Sequence, residues 1–304
     1  MEIRYHFCFL CDVRILIVFL FLSGLSVAQV LDNRNGEAFT DKPFFNEDFI
    51  KENKLKSLKG SFVYKKKGEL MQTTKFKYVY QFDRQGHLTS TFETRTDDGT
   101  KDTTWNIYLY NDENELMIHR KTDQEGYNSV HYVYDDKGRV VQENYTREID
   151  SNYQIVRSLS FNKESIKYQD FDLQTKSTRY NNYNLPYLEE FINYNEDGYL
   201  VERVEKIKMT STIYTYSYEY NEQGKLAALR KSSNRQEGFL EELLFRYDEM
   251  GNLIEKHIYK NGEFVTDIQI IYNSKSLLLA TVITRQVSTG FMMILRFKDY
   301  EFYD

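Results

Sequence analysis

The sequence is poor in cysteine, proline and histidine, and the scarcity of cysteine and histidine argues against several kinds of site. Its two cysteines, Cys8 and Cys11, both lie near the N-terminus, ahead of an apolar run. If that run is removed as a signal, the mature chain has no disulfide, thiolate metal ligand or cysteine nucleophile. No two of the five histidines have the His-x-x-x-His spacing of a zinc helix, so we predict no metal centre.

The apolar run resembles the core of a secretory signal. Residues 15–22 read ILIVFLFL, and small side chains at Ser26 and Ala28 precede Gln29. This order is typical of a signal peptidase site, so we predict a signal peptide over 1–28, cleaved between Ala28 and Gln29. The run is too short to cross a bilayer, which takes about 20 residues. A retained membrane anchor is therefore the less favoured alternative.

The residues before the run are unusual for a signal, because Glu2 and Asp12 stand where positive charge is expected. We therefore hypothesise that translation starts at Val13, directly before Arg14, rather than at Met1. Either start predicts export to the periplasm, the cell surface or the medium. No cysteine follows the apolar run, which argues against a lipid anchor, and the C-terminal residues suggest no second anchor.

Aromatic residues dominate the composition, with 26 tyrosines and 21 phenylalanines against only two prolines. Such residues favour a pleated, half-buried β surface. The net charge is −6, and acidic and basic residues alternate along the chain without a basic stripe. We therefore expect no nucleic-acid binding, which needs clustered lysine and arginine. The mean hydropathy of −0.63 also disfavours an outer-membrane barrel, and no stable membrane insertion is expected.

A seven-residue pattern recurs through the chain: an aromatic residue, usually Asp or Asn, two polar residues, a glycine, any residue, and Leu or Val. We call it the signature. Its first and fifth positions are Tyr64 and Gly68, Phe82 and Gly86, Tyr110 and Asn114, Tyr134 and Gly138, Tyr194 and Gly198, Tyr220 and Gly224, Tyr247 and Gly251, and Tyr272 and Ser276. Most copies start 24 to 28 residues apart, but the first two are 18 apart, and FNKESIK at 161 and YNNYNLP at 180 are degenerate copies.

Turn chemistry accounts for each signature position. Asp or Asn at the second position accepts a hydrogen bond from backbone two residues on, and glycine at the fifth adopts positive φ without steric cost. The signature thus predicts a hairpin loop that ends in a bulge. Asn114 tolerates the same backbone, whereas Ser276 is a poorer substitute and predicts a looser turn. The aromatic and the aliphatic residue then pair across the hairpin.

Between the turns the chain alternates with period two, as in YTYSYEY at 214–220. We therefore predict an all-β fold, a long antiparallel meander of about 16–19 strands over 54–304. A sheet of this length must curl, because open twisted sheets rarely exceed about ten strands. An open shell, a closed barrel and a two-layer stack all satisfy this requirement. Ahead of it, 29–53 reads as a flexible leader with one short capped helix from Asn46 to about Asn53.

The signature copies resemble the YD repeat of the Rhs family, found in bacterial surface proteins, insecticidal toxin shells and animal teneurins. YDEMGNL at 247–253 and YDDKGRV at 134–140 are the nearest matches, and the likeness spans roughly residues 60–280. The resemblance implies long β-sheets that spiral into shells, with binding or encapsulating roles and carbohydrate affinity. Neither Pro43 nor Pro186 follows an aspartate, so the self-cleaving segment of Rhs toxins is not expected, nor is a toxin domain.

No motif predicts catalysis. There is no Gly-x-Ser-x-Gly elbow and no glycine-rich phosphate loop. Two of the many carboxylates could pair as in a glycoside hydrolase, which is the weaker alternative. Acidic turns such as Asp135-Asp136 could hold Ca²⁺, but they lack the alternating ligand spacing of a calcium loop. We therefore predict a protein that is not an enzyme and has no cofactor or bound metal.

The tyrosine rows have two interpretations. Each ring removes about 150–250 Å² from water, so the rows serve first as the core of the sheet. Alternatively some rings stay exposed and stack on a sugar, for which Trp105, Tyr214, Tyr216 and Tyr218 are the candidates. We therefore expect a non-catalytic exported scaffold or binding module, with a carbohydrate-binding surface protein as the first alternative. The residues do not name a partner; a cell-surface glycan and a cell-surface protein are the classes considered.

Overall fold

The computed structural model describes residues 29–97, 100–123, 126–151 and 154–304, and the predicted signal peptide lies outside them. Within these ranges eighteen antiparallel strands form one sheet, and β1 pairs with both β2 and β18. The sheet is therefore a closed barrel. The predicted all-β meander and its strand number are confirmed, and of the three possible closures the chain adopts the barrel.

One helix precedes the strands, and most strands are joined by tight hairpins. The elements in chain order are α1 (Glu47–Glu52), β1 (Leu55–Lys65), β2 (Gln72–Phe82), β3 (Leu88–Asp97), β4 (Thr100–Tyr110), β5 (Leu116–Asp123), β6 (Gly126–Tyr134), β7 (Val140–Ser151), β8 (Gln154–Asp170), β9 (Gln174–Tyr180), β10 (Pro186–Tyr194), β11 (Leu200–Ile207), β12 (Thr212–Tyr220), β13 (Leu226–Ser233), β14 (Gln236–Tyr247), β15 (Leu253–Lys260), β16 (Glu263–Tyr272), β17 (Leu279–Gln286) and β18 (Met292–Phe302).

Successive hairpins of a meander lie at opposite ends of the barrel, which explains the irregular spacing of the signature. Seven copies, from FDRQGHL at 82 to YNSKSLL at 272, connect an even-numbered strand to the next odd one. They share one end of the barrel, which we call the signature end. The copy YKKKGEL at 64 joins β1 to β2 at the opposite end. Only β2 therefore separates it from the copy at 82, whereas two strands separate most neighbouring copies at the signature end.

The turns have the geometry that their residues predict. Glycine stands at positive φ in six copies, and Asn114 does so with φ of 66°. In the turn after β2 the carboxylate of Asp83 accepts hydrogen bonds from the backbone of Gln85 and of His87, both at 2.9 Å. The second of these bonds, four residues on, recurs in most copies and ties the turn to the strand that follows. The second-position Asp or Asn therefore holds both sides of the loop.

The last copy and the degenerate copy at 161 depart from this turn, whereas the degenerate copy at 180 keeps it. In the last one the left-handed residue is Leu277, with φ of 57°, and not Ser276, so this turn is one residue longer. The degenerate copy at 180 keeps a regular turn, because Asn184 takes the left-handed position with φ of 58°. FNKESIK at 161 makes no turn, since those residues lie inside the 17-residue strand β8.

In five copies the tyrosine that opens the signature also bonds the preceding copy. Its hydroxyl donates to the carbonyl of the Leu or Val that closes that copy. These bonds join Tyr110 to Leu88 (3.1 Å), Tyr134 to Leu116 (2.8 Å), Tyr220 to Leu200 (2.9 Å), Tyr247 to Leu226 (2.9 Å) and Tyr272 to Leu253 (2.7 Å). Each ring thus reaches over two strands and ties neighbouring hairpins together, which phenylalanine could not do.

The leader differs most from expectation, because it is packed inside the barrel and is not a free segment. Asn33 bonds Tyr247 on β14, the carbonyl of Asp41 accepts a bond from Tyr108 on β4, and Phe45 packs on Phe82 of β2. One segment can touch strands this far apart around a closed ring only from within it. Its apolar residues belong to the core, and α1 begins after the N-cap Asn46, as its sequence predicts.

The described part of the chain contains no helix with the length and apolar character to span a membrane.

Candidate functional site

The two faces of the barrel wall can be told apart by what touches the leader. Leu229 and Phe245 lie within 3.5 Å of the position that a side chain on Gly36 would occupy, so both face inward. Their neighbours Arg230 and Arg246 then face outward, because side chains alternate along a strand. Cross-strand partners share a face, which extends this assignment around the ring.

A half-enclosed chamber of about 590 Å³ lies between the leader and the wall formed by β15–β18, β1 and β2. The aromatic residues Phe44, Phe62 and Tyr80 and the aliphatic residues Ile268, Val282 and Leu295 are part of its lining. Tyr78 and four polar residues without an aromatic ring, Thr40, Asp41, Thr266 and Thr284, also border it. A mostly apolar chamber of this volume with a few polar groups has the character of a small-molecule site.

The interior wall across β7–β12 is polar. Arg179 on β9 lies 3.1 Å from the carboxylate of Glu143 and 3.3 Å from that of Glu164. Burial opposes the charge of Arg179, but the hydrogen bond and charge of Glu143 outweigh it and hold the guanidinium pKa above its ordinary value. The hydroxyls of Tyr145 and Tyr187 donate to Glu143 and Glu164 respectively, each at 2.6 Å. The barrel is thus apolar on one inner side and charged on the other.

Glu143 and Glu164 are one inward-facing pair of carboxylates of the kind that a glycoside hydrolase uses, and both already have partners. Glu143 and Glu164 share one arginine, and each accepts a hydrogen bond from a tyrosine. A general acid must instead present its proton to the leaving oxygen of a sugar. Within the described residues no group of three or more His, Cys, Asp or Glu side chains is placed to hold a metal ion.

The structure brings three of the four predicted stacking residues together and separates the fourth. Tyr214, Tyr216 and Tyr218 follow one another on the inward face of β12, and Tyr218 is only 7% exposed. Trp105 pairs with Phe92 and lies three positions from the inward-facing Tyr108, so it faces outward. The Trp105 ring meets Phe92 edge-on, with centroids 6.0 Å apart.

Two of the three β12 tyrosines have a cation against the ring. The guanidinium of Arg203 lies 4.1 Å from the ring centroid of Tyr216, and the ammonium of Lys231 lies 4.5 Å from that of Tyr214. Such contacts are each worth about 0.5–2 kcal/mol. A sugar that stacked on the same ring faces would have to displace these cations. The row therefore serves packing and cation binding within the chain.

Lys256 on β15 is a buried lysine that bonds the leader. It is 4% exposed, and its Nζ donates to the carbonyl of Ala38 at 2.8 Å. Burial lowers its pKa from 10.5 to about 8, and the charge of Glu241 offsets only part of this. Sequence reasoning missed this residue, because nothing in IEKHIY at 254–259 marks its lysine as facing the interior.

The lowered pKa of Lys256 predicts a specific dependence of stability on pH. Below about pH 8 the ammonium is charged in both states, and burying it costs about 3 kcal/mol. Between pH 8 and 10.5 the folded chain binds fewer protons than the unfolded one, so the cost falls as pH rises. Relative to Lys256→Met, the wild type should gain about 2 kcal/mol of unfolding free energy from pH 7 to 9.5.

Denaturant unfolding of both proteins at the two pH values measures this difference, and taking the difference removes the contribution of other groups. Lys260→Met, which removes an exposed lysine from the same strand, is the control for the loss of one positive charge. A difference between wild type and Lys256→Met that is the same at both pH values would contradict the prediction.

Comparisons with known proteins give only distant likenesses. No protein-family model matches the chain, and no curated protein matches it. Among solved structures, it is similar to TcdB2-TccC3-TEV, with 14% identity, a TM-score of 0.27, and coverage of 70% of this chain and 12% of that one. It is also similar to porin-like proteins from Bacteroides uniformis and Bacteroides vulgatus. For these the identities are 10% and 9%, the TM-scores 0.37 and 0.36, with 80% and 70% of this chain and 98% of each of those chains covered.

This chain thus spans a small part of the toxin complex and nearly the full length of the porin-like proteins. All of these TM-scores are under 0.5, so none of the likenesses supports a conclusion about function. The resemblance to YD repeats accordingly rests on the signature itself.

Proposed function

We propose that the protein is a non-catalytic, exported binding module that takes a small molecule into the interior of its barrel. The observation that carries this proposal is the chamber between the leader and the β15–β2 wall. Export is supported by the apolar run at 15–22 and the small residues before Gln29. The YD-like signature supports a role in binding or enclosing rather than in catalysis.

The outer face supports a barrel that stands in water and is not embedded in lipid. Ion pairs link neighbouring strands on that face, Arg230 with Glu242 at 2.5 Å, Arg246 with Glu255 at 2.9 Å, and Arg285 with Asp267 at 2.8 Å. A lipid-facing wall is instead an apolar band between aromatic girdles. Access to the interior would then be from solvent at an end of the barrel.

Fluorescence of N-phenyl-1-naphthylamine, a neutral apolar probe, tests interior binding. We expect saturable binding of one probe per chain. Val282→Phe should weaken it at least about tenfold, or 1.4 kcal/mol, because the added ring occupies the chamber. Ile283→Phe is the matched control, since residue 283 faces outward on the same strand and should leave the affinity unchanged.

Circular dichroism and thermal melts would first establish that both variants keep the β fold. Absence of saturable binding, or equal weakening by the two substitutions, would refute a ligand site in the interior.

A further inference from the structure

We propose that the chamber is a site for a neutral, apolar molecule that carries a hydroxyl group, and that Thr266 and Thr284 bind this hydroxyl. The inference rests on the proposed function, because it names the ligand class of the same interior site. Three properties of the chamber, as the described residues form it, carry the inference: its walls are apolar, two of its hydroxyls are uncommitted, and its lining contains no cation.

The walls require a ligand that is mostly apolar. The aromatic rings of Phe44, Phe62 and Tyr80 and the aliphatic side chains of Val282 and Leu295 line the space. A ligand that covers this apolar surface removes it from water, which favours binding. A sugar or another strongly hydrated molecule would lose its own hydrogen bonds to water without such a gain.

Two of the four polar residues at the chamber are already engaged. The hydroxyl of Thr40 donates to the carbonyl of Glu37 at 2.7 Å, and the carboxylate of Asp41 pairs with Lys121 at 2.5 Å. The hydroxyls of Thr266 and Thr284 make no side-chain hydrogen bond with any other residue that the structure describes. They lie on the paired strands β16 and β17, where Thr284 pairs with Ile268, so the two threonines are diagonal neighbours. A hydroxyl can donate and accept, so the pair can hold one alcohol group.

The lining disfavours charged ligands of either sign. Among the described residues, no lysine, arginine or histidine borders the chamber. Lys256 and Lys121, which lie beside the leader, are directed to the carbonyl of Ala38 and to Asp41. A fatty-acid carboxylate would therefore be desolvated without a cationic partner, which is costly even where a hydroxyl donates to it. A ligand ammonium would have to compete with Lys121 for the single carboxylate, that of Asp41.

Displacement of N-phenyl-1-naphthylamine by three ten-carbon compounds tests this ligand class. 1-Decanol, decanoate and decylamine each have ten carbons and differ in the head group, which in decanoate includes the tenth carbon. At pH 7 we expect decanol to displace the probe at a concentration at least about tenfold lower than either charged compound, since an unpaired buried charge costs more than 1.4 kcal/mol.

Removal of the two hydroxyls tests the role of the threonines. The double variant Thr266→Val and Thr284→Val keeps the shape of the wall, and should weaken decanol binding roughly five- to tenfold while leaving probe binding unchanged. Thr281→Val, on the outward face of β17, is the matched control and should change neither.

The possible outcomes separate this inference from the proposed function. If the probe itself fails to bind in the interior, the proposed function fails and this inference with it. If the probe binds but decanoate or decylamine displaces it as well as decanol does, the ligand class is wrong and interior binding stands. If the double valine variant binds decanol as tightly as the wild type, the assignment of the threonines is overturned.

Discussion

Replacing Phe45 with alanine is expected to lower the free energy of unfolding by about 3–5 kcal/mol, although the residue lies outside the β-sheet. Phe45 is 5% exposed, and its ring lies edge-on to Tyr80 and Phe82, with centroids 4.8 and 4.9 Å away. It also stacks on Phe44 at 4.9 Å. The substitution removes these contacts and leaves a cavity between the leader and β2, where the ring is enclosed by other core side chains.

Phe161→Ala is the matched control, because it removes the same side chain from the sheet itself. Phe161 lies on β8 and is 62% exposed, so its loss should change stability by less than about 0.5 kcal/mol. Denaturant unfolding of the two variants and the wild type gives both values. If Phe45→Ala were as mild as Phe161→Ala, the leader would not be part of the core in solution.

Gly86→Ala is expected to have the second large effect, through a clash with the leader backbone. A β-carbon at residue 86 would lie 2.0 Å from the carbonyl oxygen of Glu47, at the start of α1. The left-handed backbone, with φ of 97°, adds strain of about 1 kcal/mol for any residue other than glycine. Together these effects predict a loss of roughly 2–4 kcal/mol and a displaced helix α1.

Gly198→Ala separates the two contributions, because it occupies the same signature position without a neighbour. Its φ is 81°, and no atom lies within 4 Å of the added β-carbon. It should therefore lose only about 1 kcal/mol, from backbone strain. Hydrogen exchange of residues 47–52 supplies a second readout, since only Gly86→Ala should speed it. Equal losses of stability in the two variants would show that α1 does not rest on this turn.

Much of the fold could be predicted because the sequence features that specify it act over a few residues. Asp or Asn at the second signature position and glycine at the fifth specify a turn within five residues, and period-two tyrosines specify the strands between. Closure could not be predicted in this way. It depends on pairing Leu58 with Tyr300, which are far apart in the chain. Nothing in the sequence around either residue identifies the other as its partner.

The site was harder to predict than the sheet, because it depends on the leader. Val30, Leu31, Phe44 and Phe45 are buried, but their spacing fits neither a helix nor a strand, and polar residues surround them. Composition therefore suggested a flexible segment. The common face of Tyr214, Tyr216 and Tyr218 followed from alternation alone. Trp105 lies on β4, a different strand from β12, and alternation within one strand does not say which face of the barrel another strand presents.

The location of the leader also has a consequence for how the chain folds. Residues 29–53 are synthesised before the strands, yet Asn33 finds its partner in Tyr247, which is 214 residues later. Until β14–β18 exist, the apolar leader residues have no lumen to enter, and β1 has an unpaired edge. Contacts of such long sequence separation slow folding, and open edges favour aggregation in the meantime. We therefore expect refolding to be slow and concentration-sensitive. Residues 29–53 should be among the last to reach their native contacts, although they are synthesised before the strands.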